Sequence, residues 1–165
     1  MDLTDKLEVG ATRADEADQI VDAARSAGVF SDEEIAAVQE LVDDYIANGN
    51  ASTYCFLSCR QDGRVVGFAC YGPRSLTQGT FDLYWIATVP GAQHRGVGSV
   101  LLNQAEQNIR FQGGRLVMVE TSGRPDYEPA RRFYESHGYR REAVIADFYD
   151  VGDSLVLYSK RLESP

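Results

Sequence analysis

A chain of 165 residues, 44% hydrophobic and with three cysteines, suits one ordinary domain over residues 1–165 with a single sizeable core. No apolar run approaches the roughly 20 residues of a membrane-spanning helix, so no membrane partner is expected. The formal charge of −9 is uneven: residues 1–48 hold 13 acidic and 3 basic side chains, residues 49–165 hold 12 and 13, and a nucleic-acid binder would carry the opposite sign.

In chain order, the first ten residues, MDLTDKLEVG, have neither the basic nor the apolar stretch of a secretory signal. Residues 7–12 read as a strand. A helix is expected from Arg13 to about residue 27, with Ala17, Ile20, Val21 and Ala24 on its apolar face. Ser31 and Glu34 form a capping-box pattern ahead of a second helix carrying Ile35, Val38, Leu41, Val42 and Tyr45, stopped by Asn48, Gly49 and Asn50. The acidic side chains of these two helices are either solvated faces or a rim that draws a cationic partner.

Residues 53–60 and 64–71 read as two strands around Gln61, Asp62 and Gly63, a hairpin signal. Cys55, Cys59 and Cys70 fall on them without a CxxC pair or a nearby histidine. Reduced, packed thiols in a cytoplasmic protein are expected, with neither metal nor disulfide framework. Residues 81–89 form a further strand in which Trp85 is expected in the core. A helix over 97–111 presents Val97, Leu101, Leu102, Ala105 and Ile109 on one face. The continuous run Leu116, Val117, Met118, Val119 suits a strand covered on both faces. A helix over 128–137, with Pro129 in its first turn and Gly138 at its C-cap, precedes two closing strands at 139–148 and 154–161.

The most informative segment is Gln93, His94, Arg95, Gly96, Val97, Gly98 and Ser99, a tight glycine loop between a strand and an amphipathic helix. Helix N-termini present backbone N–H groups and a dipole that favour anions, and glycine lets a phosphate approach. The loop is neither a dinucleotide-binding fingerprint nor a P-loop. It fits Gln/Arg-x-x-Gly-x-Gly/Ala. A second segment, Phe133, Tyr134, Glu135, Ser136, His137, Gly138 and Tyr139, follows after an intervening strand.

On these two segments and the element order, the chain resembles the GCN5-related N-acetyltransferase (GNAT) superfamily. The resemblance implies an α/β fold: a mixed, mostly antiparallel sheet of about seven strands with about four helices, whose central strands splay to bind acetyl-CoA. It implies an enzyme moving an acetyl group from acetyl-CoA to a primary amine without a metal, or, alternatively, a non-catalytic acyl-CoA-binding module. Gln93, His94, Arg95, Gly96, Val97, Gly98 and Ser99 would hold the pyrophosphate, and the backbone of Ile86, Ala87 and Thr88 would pair with pantetheine. An amide near Ala87 or Thr88 would face the oxyanion.

Tyr134 would protonate the leaving thiolate, against the reading that it only packs with Ala130, Phe133 and His137. Glu120 would be the base, with Asp82 and Tyr84 as alternatives, against the reading of a surface carboxylate. His94 is expected to be exposed and His137 structural. Arg131 and Arg132 either meet phosphates or are solvated, and Asp147, Asp150 and Asp153 shape either an acceptor pocket or a polar hairpin. The acceptor is expected to be a small-molecule or peptide amine, a cationic one being favoured, and no nucleic-acid partner is expected. Pairing of two chains is common in the family, and the sequence names no surface for it.

Overall fold

The computed structural model describes residues 6–164, so the first five residues of the opening segment lie outside it. Its strands are β1 (Glu8–Ala11), β2 (Cys55–Gln61), β3 (Arg64–Pro73), β4 (Thr80–Thr88), β5 (Leu116–Ser122), β6 (Arg140–Asp150) and β7 (Asp153–Arg161). The helices are α1 (Ala17–Ser26), α2 (Asp32–Asn48), α3 (Val97–Phe111) and α4 (Glu128–Ser136). Seven strands form one sheet in the order β1-β2-β3-β4-β5-β7-β6. Pairing is antiparallel for β1–β2, β2–β3, β5–β7 and β6–β7, and parallel for β4–β5. The crossover that a parallel pair requires is α3. By contacts the chain divides into two compact units, one of residues up to Gly72 with Trp85–Asn108, the other of Pro73–Tyr84 with the residues from Ile109 on.

In the first unit, the Ser31 hydroxyl accepts from the Glu34 amide at 3.1 Å while the Glu34 carboxylate accepts from the Ser31 amide at 2.8 Å. This is the expected capping box, with Asp32, Glu33 and Glu34 complementing the dipole of α2. Ile20, Val21, Ala23 and Ala24 of α1 and Val38 and Val42 of α2 are buried. The hairpin turn places Asp62 and Gly63 both at positive φ, the geometry that matches strand twist.

The first helix departs from its expected start. A short 3₁₀ turn, Ala14–Glu16, comes first, and α1 begins at Ala17. Glu16 is turned inward. Its carboxylate accepts from the Arg13 amide at 2.8 Å and pairs with the β2 residue Arg60, whose Nε and Nη2 donate at 2.5 and 2.8 Å. Both side chains are at most 5% exposed. Burial would raise the Glu16 carboxyl, but the Arg60 and Arg13 hydrogen bonds outweigh it and hold it below its ordinary value.

Gly67 of β3 lies under α3. A Cβ there would sit 2.7 Å from a Val97 methyl and 2.9 Å from the Ala87 carbonyl oxygen. The backbone on one side cannot give way. Gly67→Ala is therefore expected to cost roughly 1–3 kcal/mol, the usual penalty of overpacking. Thermal denaturation would read this as a midpoint lowered by roughly 2–12 °C at this chain length.

In the second unit, β5 is a central strand between β4 and β7. Its ladder with β4 takes in Thr80–Asp82 against Leu116–Met118, and Leu83 and Tyr84 continue β4 past the last pair. Pairing of β5 with β7 runs on to Ser122. Edge strand β6 is exposed along all eleven residues, and its register with β7 shifts after Arg141 and after Ile145. In the connecting turn, Asp147 Oδ1 accepts from the Gly152 amide and Asp150 Oδ1 from the Val151 amide, each at 2.7 Å. Asp153 bonds the Ser122 hydroxyl. Asp147 and Asp150 are engaged in building the hairpin, and Asp153 ties β7 to the end of β5.

Candidate functional site

In the first unit, the far end of β4 runs through Ile86, Ala87 and Thr88 into the turn Pro90–Ala92. Ala87 is buried, whereas Ile86 and Thr88 are half-buried. Trp85 lies on the same strand parity as buried Phe81, Leu83 and Ala87, yet it is only half-buried, not the core residue expected. An indole is large enough to outrun the cover that hides its smaller neighbours.

Gln93, His94, Arg95 and Gly96 are all exposed. His94 has φ of 62° and Gly96 of 82°, with Arg95 between them outside the left-handed region. Such alternation turns successive amides towards one side, a concavity suited to anions. Val97 then enters the core at 1% exposure and anchors α3. The Val100 amide donates to the Gly96 carbonyl at 3.0 Å, the first rung of the helix. The Val97 and Gly98 amides lie ahead of that rung, at the positive end of a fifteen-residue helix. Exposed backbone and a helix N-terminus together suit an anion. His94 is exposed, as expected, and its positive φ is a backbone feature that the sequence pattern did not signal.

In the second unit, the register of β4 with β5 sets Asp82 opposite Met118, so Asp82, Tyr84 and Glu120 share one face. That face holds a residue the sequence motifs gave no sign of. Arg74, just past β3, donates from Nη1 to Asp82 Oδ1 at 2.9 Å, and its Nη2 lies 3.7 Å from Glu120 Oε1. The Asp82 side chain is 18% exposed, and those of Arg74 and Glu120 are 43% exposed. Burial, followed by the charge of Glu120, pushes the Asp82 carboxyl above its usual range, with Arg74 opposing.

Tyr134 is buried on α4, its ring at 5.4 Å from Phe133, 5.6 Å from Tyr139 and 6.4 Å from Tyr158. Burial pushes its phenol well above the ordinary tyrosine value, so the hydroxyl keeps its proton at neutral pH. Tyr158 donates to Glu135 Oε1 at 2.8 Å. His137 is structural as expected: its Nδ1 is 2.7 Å from the Phe133 carbonyl oxygen and its ring lies 4.3 Å from that of Phe133.

Arg131 is not simply solvated. Its Nη1 donates to the Ser122 and Arg124 carbonyls at 2.7 and 2.9 Å, which ties the joint between β5 and α4. Arg132 pairs with Glu128 in the open at 2.7 Å. The thiols of Cys55, Cys59 and Cys70 are free, and burial raises each of them.

Residues 18–139 match the acetyltransferase (GNAT) family. An uncharacterized N-acetyltransferase of Methanocaldococcus jannaschii is 28% identical over 142 residues, covering 80% of this chain and 88% of its own. Among solved structures, a Desulfovibrio desulfuricans protein assigned to the GNAT family of acetyltransferases superposes with a TM-score of 0.91 at 40% identity, covering 94% of this chain and 99% of its own. The PaiA N-acetyltransferase of Thermoplasma acidophilum, solved in complex with coenzyme A, shares the fold at a TM-score of 0.75 and 19% identity, over 95% of this chain and 99% of its own.

Proposed function

The chain belongs to the GNAT family of acetyltransferases, and we propose that it moves an acetyl group from acetyl-CoA to a primary amine by direct attack in a ternary complex. The observation that carries this reading is the exposed loop of alternating φ running into the N-terminus of α3. On this reading, the loop amides from Gln93 through Ser99 hold the pyrophosphate, with the Gln93 and Arg95 side chains at hand. The β4 backbone at Ile86, Ala87 and Thr88 pairs with pantetheine as an added strand would. An amide near Ala87 or Thr88 donates to the oxyanion.

The acceptor arrives as an ammonium, neutral in only about one molecule in a few thousand at pH 7 if its pKa is near 10.4. Glu120 takes its first proton, directly or through water. The amine nitrogen bonds to the carbonyl carbon, the C–S bond breaks, and the nitrogen gives up its second proton. Tyr134 protonates the sulfur and regains a proton from solvent. One proton is thus released per amide formed. The exposed acidic side chains of α1 and α2 favour a cationic acceptor.

Gly96→Trp tests the loop assignment. It forces an indole onto a left-handed position with open space ahead of it. Calorimetric titration with CoA is expected to show affinity at least about tenfold weaker, since ligand and ring compete for the same approach. Unchanged affinity in a variant with wild-type melting would overturn the assignment.

A further inference from the structure

Two carboxylates on one sheet face repel each other, and here a single guanidinium lies between them. Its short contact is with Asp82, the less exposed partner; the longer one is with Glu120, whose carboxylate remains open to solvent. Arg74 is itself held at the end of β3, where its amide donates to the Thr80 carbonyl at 2.8 Å. The Thr77 hydroxyl closes the same turn onto the Arg74 carbonyl at 2.7 Å. The closer contact of this arrangement is therefore Asp82 with Arg74, and the longer, more exposed one is Arg74 with Glu120.

We propose that Arg74 is a positioning residue for acetyl transfer, holding the Glu120 carboxylate in place while Asp82 holds Arg74. The inference rests on Glu120 being the base. The charged groups facing Glu120 are Arg74 and Asp82; across the ladder on β7 it meets Leu157, which cannot titrate. Along β4, Tyr84 follows Asp82 on the same face. The three charged side chains sum to −1, which welcomes an ammonium without presenting it with two bare carboxylates. Arg74 also opposes the protonation of Asp82, the carboxylate it contacts most closely.

The test reads ionisation and turnover separately. The ¹³C carboxyl resonance of Asp82, followed by NMR in the full chain, needs no acceptor. Arg74→Ala should raise its midpoint by about one pH unit or more, because an opposite charge has gone. Glu120→Gln should lower it, because a like charge has gone. Arg74→Lys should restore most of the wild-type value. In thiol release from acetyl-CoA with spermidine, an alanine-first peptide and an aminoglycoside as amines, Arg74→Ala should lower kcat about tenfold at pH 7. The KM for acetyl-CoA should hold, and the acidic limb of the rate should move to higher pH.

A merely structural arginine would lower the rate by the same factor at every pH. An Asp82 midpoint that ignores Arg74→Ala overturns the proposal, as does an unmoved acidic limb. Undiminished thiol release by Glu120→Gln overturns the base assignment beneath it; loss of that activity with an unmoved limb in Arg74→Ala overturns the role of Arg74 alone.

Discussion

Arg60→Met is expected to lower stability by about 3–5 kcal/mol at neutral pH, the usual cost of removing one partner from a buried ion pair. The variant strands the Glu16 carboxylate at 5% exposure and takes a donor from the Ala11 carbonyl oxygen, which accepts from Arg60 at 2.9 Å. Met keeps much of the stem's apolar volume, so the loss reports charge more than cavity.

The pH dependence gives the sign. Glu16 is depressed in the folded chain, so the pair's contribution is present above the unfolded carboxylate value of about 4.3 and is lost as pH falls through the folded value. In Arg60→Met burial, which favours the neutral acid, is opposed only by the Arg13 amide and Ser58, so the Glu16 carboxyl rises from its wild-type value. The gap between variant and wild type should therefore narrow as pH falls below about 5. Adding Glu16→Gln should recover part of the loss at pH 7, and the unpaired Ala11 carbonyl limits the rest. Urea denaturation at pH 7 and pH 4 reads all three. Equal deficits at both pH values would contradict the account.

Tyr134→Phe carries the larger catalytic effect. The substitution keeps the ring against Phe133, Tyr139 and Tyr158 and removes one hydroxyl. No hydrogen bond to that hydroxyl is present among the described residues, so its removal should change the melting midpoint little. General acid–base groups contribute typically about 10²–10⁴ in rate, and a loss in that range is expected in kcat. The KM for acetyl-CoA should stay near wild type. Because burial keeps the phenol protonated, the wild-type rate should show no loss of this donor up to about pH 10. A variant within about twofold of the wild-type rate would leave Tyr134 with packing alone, far short of what a general acid supplies.

What could be read in the sequence was local. Ser31 with Glu34, Asp62 with Gly63, and Gly138 at the end of α4 each fix backbone geometry within a few residues, and each stands where the pattern placed it. The glycine loop and α3 were legible for the same reason. Glu16 was not: it reads as one more acid in an acidic helix, and only Arg60, 44 residues on, explains why it is buried. Arg74 was hidden likewise, since its meaning comes from the β4–β5 register that sets Asp82 and Glu120 on one face. Trp85 failed through size, because alternation predicts which way a side chain points and not how much cover it finds. The two register shifts of β6 leave no signature in an alternating segment either.

The central claim is acetyl transfer from acetyl-CoA to an amine. Its most direct test is to incubate the purified protein with acetyl-CoA and a broad panel of primary amines, polyamines, aminoglycosides, amino acids and peptide N-termini among them, and to follow free CoA thiol together with the mass of each amine. The expected result is thiol release that depends on one class of amine, with a gain of about 42 Da on that amine, the mass of an acetyl group replacing a hydrogen. Tight acetyl-CoA binding with no thiol release from any amine would contradict it and leave a binding module in place of an enzyme.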